Sequence, residues 1–373
     1  MHSFNPQPHT YTRSMSFSAG QFALLGLMAF ALTGLLTWPI RLLAIRIGAM
    51  DKPNLERKTQ KEPVPYLGGV SIAIAVTALT YAGVVASDFT TTNFPLASYV
   101  LIPALAMGVM GLVDDLRGLP ALPRLIFQTI IAIAVSLVLI NTNTVGVAFD
   151  DSIVNQALTV FWIVGICNSI NFFDNLDGGA AGTAVVVTLG IFYIAYNQGQ
   201  ESVSALAMVT AGATLGFLMW NKQPAKIYMG DAGALFLGVV ISVLSIRVNP
   251  GIHPSWKSLA LMPILLAVPI LDTTVAVTSR IYRGLSPLTA GKDHLSHRLV
   301  RKGVSHKVAA ILLWAGSGLF ALLAIGIYNA PKALGTPFTY FAAAIWATAL
   351  IWFLRIPSED KPAQRIGLPA YDK

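Results

Sequence analysis

Apolar residues run along this chain in long blocks, without the period of two expected of half-buried strands. Eleven blocks, at about 22–45, 67–86, 98–113, 124–140, 155–171, 180–196, 203–220, 233–248, 258–278, 307–328 and 336–354, read as helices that cross a bilayer, since a crossing takes roughly 20 apolar residues. The predicted fold class is therefore all-α: a polytopic membrane protein of about eleven transmembrane helices. Residues 1–20 read as a polar, disordered lead, 21–354 as one transmembrane domain, and 355–373 as a tail.

Composition agrees with the pattern and narrows the function. Of 373 residues, 55% are hydrophobic and 11% charged, against roughly 25% charged in a globular domain. Little chain remains for a soluble enzyme domain or a large ectodomain, and nucleic acid is not an expected partner despite the formal charge of +8. The bases instead orient the helices. With the N-terminus outside and the C-terminus in the cytoplasm, 21 of 25 Lys and Arg residues fall on the inner side, and only Arg13, Arg247, Lys257 and Lys332 fall outside. The single Cys167 lies in an apolar block, so it excludes an intrachain disulfide and reads as a small buried hydrophobe.

Acidic residues report chemistry, because they contribute little to orientation. Thirteen of the 17 lie on the inner side or at inner helix ends, in local patterns separated by whole helices. Asp114 and Asp115 end the third block. Adjacent carboxylates there repel unless a cation or shared proton compensates, which favours a metal or base role over a solvated helix end. Asn168, Asn171, Asp174 and Asp177 recur every third position and would line one stripe if the fifth helix continued. The alternative is a C-cap at Gly178 and Gly179, which explains the glycines but not the four polar side chains.

Asp231, within Met-Gly230-Asp231-Ala-Gly233, is placed to cap the eighth helix or to hold a hard divalent cation beside an anion at the helix N-terminus. Asp293, His294, His297 and Arg298 lie among Arg280, Arg283, Lys292, Arg301 and Lys302. Without a third soft ligand this grouping reads as a phosphate clamp rather than a zinc site, with a merely topogenic basic loop as the alternative. In the first inner loop Arg57 and Lys58 are phosphate-binding candidates, Pro63 and Pro65 set an extended approach, and Gly68 and Gly69 permit close packing. Asp272, the deepest acid, either pairs with a base or faces substrate. No phosphate-binding P-loop, dinucleotide turn or serine-nucleophile elbow is present.

Taken in order, these pieces resemble the polyprenyl-phosphate N-acetylhexosamine-1-phosphate transferases, in the branch that transfers N-acetylglucosamine 1-phosphate. The matching motifs are Asp51-Lys-Pro-Asn with Arg57-Lys58, Pro65-x-x-Gly-Gly, Gly-x-x-Asp114-Asp115, Asn171-x-x-Asp174-x-x-Asp177, Met-Gly-Asp231-x-Gly and His294-x-x-His297-Arg298-Leu. The resemblance implies transfer from a UDP-N-acetylhexosamine to a polyprenyl phosphate with release of UMP. It also implies a bacterial plasma-membrane protein whose catalytic domain spans 21–354, with its site facing the cytoplasm. It implies Mg²⁺, with Mn²⁺ as the alternative ion, held by Asp231, with Asp115 as a second candidate ligand. Asp114 and Asp115 are the implied catalytic acids. Arg57, Lys58, Asn171, Asp174, Asp177, His294, His297 and Arg298 are the implied substrate-binding residues, and a homodimer is admitted. Departures from the family pattern stand at Gln60, Asn175, Gly179 and Ser296; the reduced histidine motif argues against the muramoyl-pentapeptide branch. A secondary transporter is the alternative from another class, and it requires acids near the bilayer midplane.

Overall fold

The computed structural model describes residues 17–51, 62–86, 90–141, 152–252, 255–288 and 291–358. Thirteen helices follow in order: α1 (Ala19–Arg46), α2 (Gly68–Val85), α3 (Thr90–Arg117), α4 (Ala121–Asn141), α5 (Ser152–Phe173), α6 (Gly179–Asn197), α7 (Glu201–Asn221), α8 (Gly230–Arg247), α9 (Ser255–Leu265), α10 (Ala267–Tyr282), α11 (Leu295–Arg301), α12 (His306–Asn329) and α13 (Lys332–Leu354). Between α1 and α2, the two-residue strands β1 (Met50–Asp51) and β2 (Val64–Pro65) pair antiparallel. This is the extended segment that Pro63 and Pro65 predict, although pairing across the loop was not anticipated.

Among the described residues, ten of these helices are long and apolar enough to cross a membrane, and α9 with α10 makes an eleventh if the pair, bent by 69°, counts as one broken span. The predicted ninth span is therefore not one straight helix. Pro269 lacks the N–H that would bond the carbonyl of Leu265, so the helical ladder is interrupted where the axis turns. Rejoining at Ala267, α10 aims the following loop back against the end of α5.

Helix α8 is the axis of the bundle. Every residue from Ala232 to Ser245 is buried, as expected of a helix apolar on all sides. Helices α3 and α5 pack along it, while α7 packs between α1 and α6. Lipid tails are as apolar as leucine, so small residues that let backbones approach drive much of such packing. A Cβ on Gly212 would lie 2.0 Å from the carbonyl oxygen of Gly26, and one on Gly216 would lie 2.3 Å from that of Phe30. Gly69 and Gly233 make the same kind of contact between α2 and α8, where a Cβ on Gly69 would lie 2.1 Å from the Cα of Gly233.

This predicts a contrast between two helix-interior glycines. Gly212→Ala forces α1 and α7 apart and costs about 1–3 kcal/mol, lowering the thermal midpoint of the detergent-solubilised protein. Gly165→Ala meets nothing within 4 Å and is neutral or stabilising by about 0.5–1 kcal/mol.

Candidate active site

The site forms where the end of α3, the end of α5 and the start of α8 meet. Gly111 sits on the contact between α3 and α8, where a Cβ would lie 2.4 Å from the carbonyl oxygen of Asp231. Gly230 takes a left-handed φ of +73° at the start of α8, and a Cβ there would lie 2.6 Å from an oxygen of Asp115. The close approach places Asp115 over the helix end: its Oδ1 accepts the N–H of Asp231 at 2.9 Å and its Oδ2 accepts that of Ala232 at 3.0 Å. A carboxylate so placed satisfies amides that the helix leaves unpaired and meets the positive end of its dipole. The capping acid of α8 is thus Asp115, supplied by another helix. The expectation that Asp231 caps its own helix is corrected, because the carboxylate of Asp231 points to other partners.

Asp231 Oδ1 accepts from Asn171 Nδ2 at 2.8 Å, and Asp231 Oδ2 accepts from Arg124 Nη1 at 3.0 Å. The same Arg124 nitrogen donates to Asp114 Oδ2, and Asp114 Oδ1 accepts the N–H of Leu119 at 2.6 Å. One guanidinium nitrogen therefore stands between two carboxylates from different helices. Asn168, one turn before Asn171, donates instead to Gln128 of α4 at 2.6 Å. The polar stripe of α5 thereby ties α4 and α8 to the same helix.

That stripe does not continue as a helix through Asp177. Helix α5 ends at Phe173, Asp174 begins a turn, and Gly178 adopts φ +72° as the N-cap of α6 rather than as a C-cap of α5. Asn221 fastens the turn, accepting the N–H of Gly178 and donating to the carbonyl of Ile227, both at 3.0 Å. Asp177 Oδ2 accepts the N–H of Ala225 at 2.8 Å. Burial pushes the Asp174 carboxyl up to about 7, helped by the negative charges of Asp115 and Asp177. Asp177 is also raised by burial, against the opposing effects of the Ala225 hydrogen bond and His306. Tyr228 is raised by burial and then by Asp177, Asp51 and Asp174, so Asp51 faces the same acidic group. Backbone bonds from Tyr228 to Pro65, Gly68 to Tyr228 and Gly69 to Met229, at 2.8–2.9 Å, join β2 and the start of α2 to the segment before α8. Arg57 and Lys58 lie outside the described residues.

The basic group is organised differently from a clamp open to phosphate. Asp272 Oδ2 lies 2.6 Å from His294 Nδ1, and its Oδ1 accepts the N–H of Leu295 at 2.7 Å. Asp272 thus pairs within the protein. His294 Nε2 lies 3.2 Å from Arg280 Nη2. A guanidinium only donates, so Nε2 accepts and the proton of His294 sits on Nδ1, facing Asp272. Asp293 receives both Arg280, at 2.9 Å, and Arg283. Arg298 is 1% exposed; it donates to the carbonyls of Asp293, Phe353 and Ile356 and to the hydroxyl of Ser279. The guanidinium expected to touch substrate is spent on holding α11, α10 and the end of α13 together. His297 remains beside His294, with ring centres 6.3 Å apart. Burial first, then neighbouring positive charge, pulls it down to about 4, so the imidazole is neutral at neutral pH.

The acidic and basic groups meet at the end of α5. Phe172 lies edge-on to His294 and beneath the guanidinium of Arg280, at 6.1 and 5.7 Å. Ser296 donates to Asn175 Oδ1, which ties the start of α11 to the turn after α5.

Residues 97–249 match glycosyl transferase family 4. The chain is 34% identical over 345 residues, 90% of both proteins, to a probable undecaprenyl-phosphate N-acetylglucosaminyl 1-phosphate transferase of Bacillus subtilis. The chain belongs to glycosyl transferase family 4. This family 4 chain is also 33% identical to a decaprenyl-phosphate N-acetylglucosaminephosphotransferase of Mycolicibacterium smegmatis, covering 81% of this chain and 80% of the relative. It is 27% identical to a phospho-N-acetylmuramoyl-pentapeptide-transferase of Streptococcus equi, covering 78% and 92%.

Sequence reading missed Arg124, counting it only as topogenic charge. The signal was present: Arg124 lies in the first turn of α4, where a cation faces the positive end of the helix dipole and needs an anionic partner. The donors here suit Mg²⁺, which takes hard oxygens and is held by one or two carboxylates plus substrate phosphates. Among the described residues, no three His, Cys, Asp or Glu side chains are grouped to hold a metal ion by themselves, so an ion at these carboxylates would need further ligands from water or substrate.

The raised Asp174 carboxyl gives a pH dependence with a definite sign. Between its ordinary value of 3.8 and about 7, the folded chain holds a proton that the unfolded chain has lost, so stability falls as pH rises through this window and levels above it. Thermal midpoints from pH 4 to 8 should show this slope in the wild type and a flatter profile in Asp174→Asn; equal slopes would count against the assignment.

Proposed function

We propose that this chain transfers N-acetylhexosamine 1-phosphate, with N-acetylglucosamine as the sugar, from a UDP-sugar to a polyprenyl phosphate in a bacterial plasma membrane. An oxygen of the lipid phosphate attacks the sugar-bearing phosphorus of the donor. The bond from that phosphorus to the bridging oxygen breaks, and UMP leaves. The observation that carries this reading is the meeting of Asp114, Asp115, Asp231 and Asn171 at one end of the bundle, in a chain whose relatives are named for this transfer. Relatives named for N-acetylglucosamine phosphate align at 33–34% identity and the muramoyl-pentapeptide relative at 27%, which favours the former sugar.

Two anionic phosphates must approach one another, so the residues must lower their repulsion and align them. Asp231 would hold Mg²⁺, which when bound supplies neutralisation of diphosphate charge; as second ligand Asp114, which faces Asp231 across Arg124, is preferred to the Asp115 that the resemblance implies, because both oxygens of Asp115 accept amides of α8. Asp115 fixes the first turn of α8 and with it the position of Asp231. Asp174 and Asp177, on the fastened turn, line the nucleotide side, and Asp174 is the better placed to exchange a proton near neutrality. His294, oriented by Asp272, and His297 form the wall toward the sugar, and Arg57 and Lys58 meet phosphate. Arg298 acts through the loop it holds. The basic inner connections support an N-out, C-in orientation, with the site toward the cytosol where UDP-sugars reside.

The test is purified protein supplied with a polyprenyl phosphate, Mg²⁺ and labelled UDP-N-acetylglucosamine. Lipid-linked label with stoichiometric UMP is expected; no transfer from UDP-N-acetylglucosamine, UDP-N-acetylgalactosamine or UDP-muramoyl-pentapeptide would remove the proposal. Asp231→Asn should insert normally and lose about 100-fold or more in turnover, the scale of losing one charge-stabilising group in an active site.

A further inference from the structure

Arg124 is the one cation held directly between Asp114 and Asp231 among the described residues, and it does so through a single nitrogen. Its position is costly by itself, since it lies in the first turn of α4, where the helix dipole repels positive charge. The carboxylates repay that cost. Asp114 is buried and Asp231 half-buried, and two such acids facing one another are unfavourable unless a positive charge lies between them. The guanidinium is not locked in, however. Its side chain is 29% exposed, and a small cavity lined by Arg124, Gln128, Asn168, Asn171, Phe172 and Leu288 opens beside it.

We infer that Arg124 is an internal counter-cation which occupies the space between Asp114 and Asp231 until a divalent ion displaces it, and that the displaced guanidinium then takes a phosphate. This rests on the reading above that these two carboxylates hold the metal. A divalent ion seated between the facing oxygens of Asp114 and Asp231 would meet the Arg124 nitrogen that already lies on both of them, and two cations that close repel one another. Once released, the planar fork of Arg124 matches phosphate oxygens in a way that a point charge does not. The exchange keeps the acids neutralised at every stage and ties arrival of the ion to capture of the anionic substrate. Arg124 is thus a competitor of the ion and, once displaced, a binding residue for phosphate.

The test measures ion binding rather than turnover, with Mn²⁺ as probe, followed by electron paramagnetic resonance on full-length protein in detergent without substrate. Arg124→Gln removes the competitor and should bind Mn²⁺ about tenfold more tightly, the scale of one charge-assisted hydrogen bond; Arg124→Lys keeps a competing charge and should stay near wild type. Equal or weaker binding by Arg124→Gln overturns the inference. A second measurement needs no variant: Mg²⁺ should increase phenylglyoxal labelling of Arg124 in the wild type, read by peptide mass spectrometry, and unchanged or reduced labelling overturns it as well. Asp231→Asn and Asp114→Asn separate the two levels. If either abolishes Mn²⁺ binding, the metal reading stands whatever Arg124 does; if binding survives both, that reading fails and the inference with it.

Discussion

Two adjacent acids at the end of a membrane helix are tolerable only if positive charge reaches both, and the arrangement of this bundle's polar end follows from how that need is met. Asp115 takes the partial charge at the N-terminus of α8, and Asp114 takes the full charge of Arg124. Neither solution is available to α3 alone. The first requires α8 to begin within hydrogen-bonding reach, and the second requires α4 to turn back at once after Pro120. Because Asp231 belongs to the capped turn, neutralising α3 also places the third acid. Asn171 then fixes α5 against the same carboxylate.

Such proximity depends on missing side chains. Gly111, Gly230, Gly69 and Gly233 stand where a Cβ would collide with the neighbouring helix or with Asp115. Packing and electrostatics are therefore one constraint here. Any side chain that separated α3 from α8 would also pull the Asp115 carboxylate away from its compensating charge. On the other side of α5, the bend before α10 has a similar effect on the basic loop, carrying Asp272 to a fully buried position against His294.

Much of this was legible in the residues. Apolar block lengths are set by bilayer thickness, so ten of the spans and nearly all their limits follow from sequence; the bend between α9 and α10 does not, because prolines such as Pro39 and Pro103 lie inside helices that continue through them. The acids and amides of the site could be named, since polar side chains at lipid-embedded helix ends need a reason. Their partners could not. Whether Asp231 or Asp115 caps α8 depends on which helix lies beside it, and whether Arg298 meets phosphate or carbonyl oxygens depends on where α13 ends. Periodicity misled at Asp174 and Asp177, where spacing of three persists after the helix has stopped. The extended segment around Pro65 was readable as extended, while its bonding to Tyr228 lay beyond any local pattern.

Arg298 reaches the carbonyls of Phe353 and Ile356, at the end of the last membrane helix. Helix termini leave such carbonyls unpaired, and a guanidinium buried without them would be a charge with too few acceptors. The partner groups are made more than fifty residues after the arginine. The acceptors of Arg298 are consequently complete only when the end of α13 is in place, whereas the acidic group needs nothing beyond the start of α8. The basic loop is thus closed from the far end of the chain, and the acidic group is closed from its middle.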